Sequence, residues 1–252
     1  MSTHPQAGKS PTAEQLLNID ELLSAYNSIK NNLAPVSFGT SGHRGSSLKS
    51  SFNETHILAI SQAICEYRKA QNITGPLYVG IDTHALSKPA LISCLQVLAA
   101  NGIEAYYQDD FGPTPTPVIS HAILTWNEKY EALADGIVIT PSHNPPEDGG
   151  FKYNSIDGGP ANTNITNWVE NRANEIIANK LNDVKMTSAD EALDSTNISA
   201  YDYIPNYVAD LENVIDMKAI KDAKIKIAAD PLGGASLPYW QPIVEKYGVD
   251  IT

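Results

Sequence analysis

Cysteine and basic residues are both scarce in this chain. Of its 252 residues only two are cysteine, and 17 Lys and Arg face 29 Asp and Glu, which gives a formal net charge of −12. Nucleic acids and anionic membranes are bound by basic faces, so this acidic balance favours neither as a partner. Cys65 and Cys94 form no C-x-x-C or Cys/His metal pattern, and their apolar helical surroundings predict small buried side chains.

Long hydrophobic runs are also missing. The N-terminus lacks the apolar stretch of a secretion signal, and no apolar run approaches the length needed to cross a membrane. We therefore expect a cytoplasmic protein. What is present suits a folded core, since 42% of the residues are hydrophobic and 18% are charged. The length fits one large domain or one and a half ordinary ones.

Helical and strand patterns alternate along most of the chain. Apolar residues recur at helical spacing in residues 16–29, 54–71, 89–100, 118–126 and 164–180. Strands are predicted at 77–81 and 103–107, and a short β-branched run lies at 137–140. This alternation predicts the α/β class, with a mixed but mostly parallel sheet flanked by helices. Ligands of such sheets bind at the carboxyl ends of the strands, where Ser142 and the turn at residues 82–84 fall.

Three regions are expected along the chain. Residues 1–15 form a flexible N-terminus, residues 16–200 a first domain, and residues 201–252 the beginning of a second, similar α/β domain. The polar stretch 182–203 is interpreted as a linker or domain edge. In the last region we expect a helix at 205–214, a strand at 224–228, a helix at 238–247 and a strand from Val249. Because this unit stops as its second strand begins, the sequence looks like a fragment of a longer protein.

The most distinctive stretch runs from Gly136 to Asn154. A buried strand breaks into a loop rich in Pro, Asn, Asp and Gly, and Ser142 stands at the break between Pro141 and His143. A rigid loop at a strand end is suited to presenting a hydroxyl group. A serine hydrolase is disfavoured, because the Gly-x-Ser-x-Gly elbow is absent and an adjacent histidine on an extended segment points away.

A second stretch, residues 38–47, is rich in glycine and hydroxyl groups. Its exposed amides, the hydroxyls of Thr40, Ser41, Ser46 and Ser47, and the charges of His43 and Arg44 could form a phosphate cradle. An ordinary flexible turn is an equally good interpretation of this stretch alone. Taken together with Ser142, His143 and Lys152, it favours a serine that carries a phosphate, supported by amide donors, a cation such as Mg²⁺ and Lys or Arg.

These residues resemble a known family. Phe38-Gly-Thr-Ser-Gly-His-Arg-Gly45 and Thr140-Pro-Ser-His-Asn-Pro-Pro146 are similar to motifs of the α-D-phosphohexomutase superfamily. Further matches resemble its bacterial α-D-glucose-specific phosphoglucomutases; they are Pro115-Thr-Pro-Val118, Glu147-Asp-Gly-Gly-Phe-Lys-Tyr-Asn154 and Asp230-Pro-Leu-Gly-Gly234. Phe151 stands where an aliphatic residue is expected.

The resemblance implies interconversion of glucose 1-phosphate and glucose 6-phosphate through a phosphoserine and glucose 1,6-bisphosphate. Ser142 would be the phosphoserine, and its phosphate would be one ligand of a Mg²⁺ ion. Lys152 matches the family's proton-transfer lysine, and His143 matches a residue at the serine phosphate. The expected phosphate- or substrate-binding residues are Thr40, Ser41, His43, Arg44 and Asn144.

The family's three-aspartate metal loop, sugar-specificity loop and C-terminal phosphate loop have no match here. Asp148, Asp157 and Asp230 lack the metal-loop spacing and are not assigned to metal. We therefore expect this chain to be inactive alone. Two alternatives remain open: a mutase for mannose or glucosamine phosphates, and a non-catalytic phosphosugar-binding or regulatory module in which the serine is a modified switch.

Overall fold

A computed structural model describes residues 5–28, 32–39 and 42–252. In this part of the chain six strands form one sheet, in the spatial order β1-β5-β4-β2-β3-β6. Their bounds are β1 His43–Ser46, β2 Leu77–Ile81, β3 Ala105–Gln108, β4 Asp135–Ile139, β5 Asp148–Asn154 and β6 Ile198–Tyr201.

The sheet is mixed, as the sequence predicts. Strands β4, β2, β3 and β6 run parallel, whereas β5 is antiparallel to both β4 and β1. The parallel strands β2 and β4 end side by side at Ile81 and Ile139, which are register partners. The loops that follow these two strands therefore share one edge of the sheet, where such folds bind their ligands.

Nine α-helices surround the sheet in the described residues. They are α1 Ile19–Asn27, α2 Glu54–Ala70, α3 Ser87–Ala100, α4 Thr116–Lys129, α5 Thr163–Ala178, α6 Ala189–Leu193, α7 Ile204–Asp210, α8 Met217–Asp222 and α9 Leu237–Tyr247. A clear capping signal in the sequence predicts the start of a helix accurately. Asn53, for example, begins α2 through a capping box with His56.

The two faces of the sheet bury different side chains because strand residues alternate in direction. On one face, Leu77 and Val79 of β2 pack with apolar residues of α2, α3 and α5. On the other face, Tyr78 packs with residues of α4, α7 and α9, including Val118 and Tyr239. Because helices cover both faces of the sheet, every residue of β2 and β4 is buried, which explains their continuous apolar runs.

Four predictions about elements or their bounds are wrong. The stretch 182–203 is not simply a linker, because it contains α6 and the edge strand β6, which pairs with β3. Its few apolar residues suffice for an edge strand, since half of its side chains face solvent. Neither the strand expected at 224–228 nor the strand expected from Val249 forms, and the two segments make one isolated parallel bridge, between Ile227 and Ile251. Helix α1 begins only at Ile19, where the Asn18 side chain accepts a hydrogen bond from the Glu21 amide.

The region after Tyr201 packs directly on the sheet. Tyr203 is buried, and its hydroxyl donates to the Tyr106 carbonyl oxygen at 2.8 Å. The division of the chain into three regions stays a prediction. Among the helices within the described ranges, none is long and apolar enough to cross a membrane.

Candidate functional site

Ser142 lies on the loop that follows β4, at the carboxyl edge of the sheet. Its backbone φ is 64°, in the left-handed region that non-glycine residues seldom adopt. The Ser142 amide donates to the Thr140 hydroxyl at 2.9 Å, which helps to hold this conformation. The side chain is exposed, so its hydroxyl is presented to a ligand as the sequence suggests. Strain of this kind is often found at functional positions.

Lys152 contacts the serine directly. Its Nζ donates to Ser142 Oγ at 2.6 Å, across the pairing of β4 with β5. Burial lowers the pKa of Lys152, the neighbouring positive charge of Arg44 lowers it further, and Asp82 partly opposes both effects. Its ammonium group can therefore release a proton more readily than an exposed lysine can. This is the property required of a lysine that moves protons at a phosphorylated serine.

Two glycines make this contact sterically feasible. At Gly150, a Cβ atom would lie 2.2 Å from the Thr140 carbonyl oxygen, so only glycine lets β5 pass beneath residues 140–147, the serine loop between β4 and β5. At Gly42, where φ is 138°, a Cβ atom would lie 2.7 Å from Lys152 Cγ. Both glycines belong to the stretches that the sequence singles out, and their function is close packing around Lys152.

Arg44 lies on the same face as Lys152. It pairs with Gly150 in the antiparallel register of β1 with β5, which sets its side chain beside that of Lys152, two residues along β5. The two side chains are half-buried. Together they form a positive patch beside the Ser142 hydroxyl, in a protein whose overall charge is negative.

His43 does not lie at this patch, and the prediction that it supplies positive charge to a phosphate is wrong. Its side chain is 2% exposed and stacks between Phe52 and His56 on the core side of β1. Burial, reinforced by His56, lowers its pKa to about 4, so the ring is neutral at pH 7. Because neighbouring strand residues point to opposite faces, Arg44 can reach the site only if His43 points away.

The other predicted cradle residues are placed differently. Ser46 and Ser47 are buried, and the Ser47 hydroxyl donates to the Leu22 carbonyl oxygen at 2.7 Å, so neither hydroxyl serves as a surface phosphate donor. Thr40 and Ser41 lie outside the described residues. The glycine-rich stretch is therefore partly strand, since β1 begins at His43.

Two more predicted residues lie on the serine loop. His143 is exposed next to Ser142. Asn144 is half-buried, and its Nδ2 donates to Asp148 Oδ2 at 3.0 Å, which closes the loop on the start of β5. In this structure Asn144 acts on the shape of the loop.

His84 contacts the serine loop, although the sequence does not mark it as a site residue. His84 follows β2 and contacts the serine loop through the Pro146 carbonyl oxygen, at 2.6 Å. The available signal was its position, because the turn at residues 82–84 was expected at the same sheet edge as Ser142. This polar turn carries no recognisable motif, and its position alone does not distinguish His84 from the other residues of the turn.

The described side chains do not by themselves form a magnesium site. Within the described ranges, no three His, Cys, Asp or Glu side chains are grouped so that they could hold a metal ion. Ser142 could contribute one phosphate oxygen as a ligand, and the remaining ligands of a magnesium site are not supplied by these residues.

Comparison with known proteins places these features in a family. Residues 35–180 match the family model described as phosphoglucomutase/phosphomannomutase, alpha/beta/alpha domain I. Over 256 aligned residues the chain is 57% identical to a phosphoglucomutase of Komagataeibacter xylinus, covering 100% of this chain and 46% of that protein. It is 28% identical over 217 residues to a phosphoglucosamine mutase of Aliarcobacter butzleri, covering 85% of this chain and 45% of the relative.

The fold is also found in solved structures. The open form of parafusin, a phosphoglucomutase from Paramecium, superposes with a TM-score of 0.71 at 20% identity, covering 87% of this chain and 44% of that one. At this identity the likeness supports the fold alone. The chain spans about half the length of these two curated relatives.

Proposed function

The chain belongs to the phosphoglucomutase/phosphomannomutase family, and from that premise we propose that it carries the phosphoserine half of a phosphoglucomutase. The reaction is the interconversion of glucose 1-phosphate and glucose 6-phosphate. Ser142 passes its phosphoryl group to the substrate, which gives glucose 1,6-bisphosphate, and then receives the other phosphate back.

The observation that carries this proposal is the hydrogen bond from Lys152 Nζ to Ser142 Oγ, 2.6 Å long. When Ser142 is phosphorylated, the same ammonium group lies close enough to neutralise the phosphate. Its lowered pKa also suits it to exchanging a proton with the sugar hydroxyl that accepts or releases the phosphoryl group. Charge neutralisation and positioning are the main requirements of phosphoryl transfer.

Other residues support the phosphate in this proposal. Arg44 adds a second positive charge on the same face of the β1–β5 pair, and His143 is exposed next to Ser142 in the chain. A Mg²⁺ ion, held in part by a phosphate oxygen on Ser142, would neutralise charge on the transferring group. We place the protein in the cytoplasm, with a hexose phosphate as its small-molecule partner.

Glucose is the favoured sugar because the 57% identity to a phosphoglucomutase far exceeds the 28% identity to a phosphoglucosamine mutase. The test is intact-protein mass spectrometry of the full-length protein. We expect the phosphate on Ser142 to exchange during turnover. With excess glucose 6-phosphate that carries ¹⁸O in its phosphate oxygens, the protein should keep one phosphate and gain the mass of the label. Glucosamine and mannose phosphates, offered in parallel, report the specificity. A Ser142 phosphate that glucose phosphates leave untouched would instead support a regulatory switch.

A second candidate function rests on the same hydrogen bond. A serine hydroxyl bonded to a lysine with a lowered pKa is also the arrangement of Ser-Lys hydrolases. Fluorophosphonate reagents separate the two candidates, because they label an activated hydrolase serine. Absence of labelling at Ser142, together with phosphoryl exchange with glucose phosphates, would exclude the hydrolase.

A further inference from the structure

The turn after β2 touches the serine loop at a point that the proposed chemistry does not use. His84 Nε2 lies 2.6 Å from the carbonyl oxygen of Pro146, four residues after Ser142. A carbonyl oxygen can only accept, so Nε2 must carry the hydrogen. The bond therefore joins the end of one central strand to the loop that leaves the neighbouring one.

The second ring nitrogen of His84 fixes the tautomer. The Leu86 amide donates to His84 Nδ1 at 3.2 Å, so Nδ1 must accept and carries no hydrogen. Both bonds are satisfied together only by the neutral ring with its hydrogen on Nε2. The ring orientation is thus determined from both sides.

The support beneath His84 is also fixed. Asp82 Oδ1 accepts from the His84 amide at 2.9 Å and from the hydroxyl of buried Ser87 at 2.6 Å. The Asp82 amide donates to the Ile139 carbonyl oxygen at 3.1 Å, which ties the turn to the end of β4. The donor at His84 is consequently held on the sheet itself rather than on a free loop.

The serine loop has mostly local bonds of its own. The Ser142 amide donates to Thr140 Oγ1, and the Asp148 amide donates to the Pro145 carbonyl oxygen at 3.0 Å. These local bonds give the loop its shape, and Lys152 ties Ser142 to β5. The bond from His84 connects the far side of the loop to β2.

We propose that His84 is a positioning residue for the serine loop. Through the Pro146 carbonyl it fixes the loop against the sheet, and so keeps the Ser142 hydroxyl at the Lys152 ammonium group. The structural part stands on the contacts alone, and its catalytic consequence rests on the proposed mutase function. An error of about 1 Å in the position of a reacting group can lower a rate by about 100-fold.

The neighbouring residue provides a matched control. Thr83, in the same turn, donates its hydroxyl to the Gly233 carbonyl oxygen at 2.8 Å. This bond holds the 230–236 loop and does not touch the serine loop. A Thr83→Val variant therefore disturbs the same turn while leaving the His84 bond in place.

Hydrogen exchange of the 252-residue chain tests the structural part. In His84→Ala we expect the amides of Ser142 and Asp148 to exchange about fivefold faster, the factor for one lost hydrogen bond, while amides of α5 are unchanged. His84→Gln can place an amide donor near the Nε2 position and should restore slow exchange. Thr83→Val should speed exchange at Gly234 and leave Ser142 and Asp148 unchanged. Unchanged exchange at both serine-loop amides in His84→Ala would overturn the proposal.

Phosphoryl transfer by the full-length protein tests the consequence. We expect His84→Ala to lower kcat for the conversion of glucose 1-phosphate to glucose 6-phosphate by about tenfold with little change in KM, and His84→Gln to recover most of it. A full rate in His84→Ala would overturn the catalytic part. If the wild-type protein transfers no phosphate, the mutase proposal fails, while the exchange measurement still decides whether His84 positions the loop.

Discussion

Lys152 shows how one side chain can combine two tasks. The sequence alone allows an ordinary solvated lysine at the end of a strand. In the structure it is half-buried, bonded to Ser142 and beside Arg44, so burial and a like charge both lower its pKa. In the proposed function, the same position would supply positive charge to a phosphate and a proton that can be exchanged.

Replacing Lys152 separates these tasks. Lys152→Met removes both the charge and the proton, and we expect kcat for phosphoryl transfer in the full-length protein to fall at least about 100-fold. Lys152→Arg is the matched control, since it keeps the charge but holds its proton too firmly to exchange it. A kcat of the Lys152→Arg variant equal to that of the wild type would show that proton transfer by this residue is unimportant.

His43 carries a pH dependence of stability. Its pKa is about 4 in the fold against 6.5 for an ordinary histidine, because burial and His56 disfavour the charged ring. Below pH 6.5 the unfolded chain binds a proton that the folded chain does not, so stability present at neutral pH falls as the pH drops from 6.5 towards 4. The expected loss is about 3 kcal/mol.

Urea unfolding between pH 4 and 7 measures this effect. His43→Phe keeps the stacking partner but does not titrate, so its stability should fall less steeply with decreasing pH than that of the wild type. The variant also loses the acceptor for the Ser37 amide, which lowers stability equally at every pH. The slope is therefore the informative quantity, and an unchanged slope would contradict the assignment to His43.

At the scale of elements, the site depends on how closely β5 passes the loop after β4. Gly150 sets that distance, because a Cβ there would lie 2.2 Å from the Thr140 carbonyl oxygen and 2.7 Å from Pro141 Cα. These atoms belong to the backbone and cannot move aside alone. The position of Ser142 relative to Lys152 is thus set by a strand contact.

Gly150→Ala tests this dependence. We expect it to lower the free energy of unfolding by about 1–3 kcal/mol, as overpacking of an interior does, and to reduce phosphoryl transfer by separating Ser142 from Lys152. Gly159→Ala is the control, because a Cβ atom at Gly159 would lie 3.5 Å from Asp157 Oδ1, an ordinary van der Waals distance. Denaturant unfolding of both variants gives the comparison; equal stability would show that β5 shifts without cost.

At the scale of the whole molecule, the described residues hold a complete sheet edge with a serine, a lysine and an arginine, but no cluster of metal-binding side chains among them. The chain spans 46% of a relative that is 57% identical to it. The proposed mutase function therefore requires sugar- and metal-binding groups in addition to the serine, lysine and arginine described.

We accordingly expect the 252-residue chain alone to show no turnover of glucose 1-phosphate in a coupled assay for glucose 6-phosphate. It should nevertheless fold cooperatively, since its buried residues form continuous clusters on both faces of the sheet. Turnover by the purified chain that is abolished in Ser142→Ala would contradict this expectation.

The sequence by itself determined the α/β alternation and the bounds of β2 and of α2 to within one residue, and it singled out Ser142, His143 and Lys152 as site candidates. These features depend on local patterns, such as apolar periodicity, capping residues and a proline-flanked loop, which act within a few residues. The tertiary structure alone decided that 198–201 is an edge strand, that His43 faces the core and that His84 reaches Pro146. Each of these depends on register and packing between segments distant in sequence, where burial and partners are set by the assembled sheet rather than by the neighbouring residues.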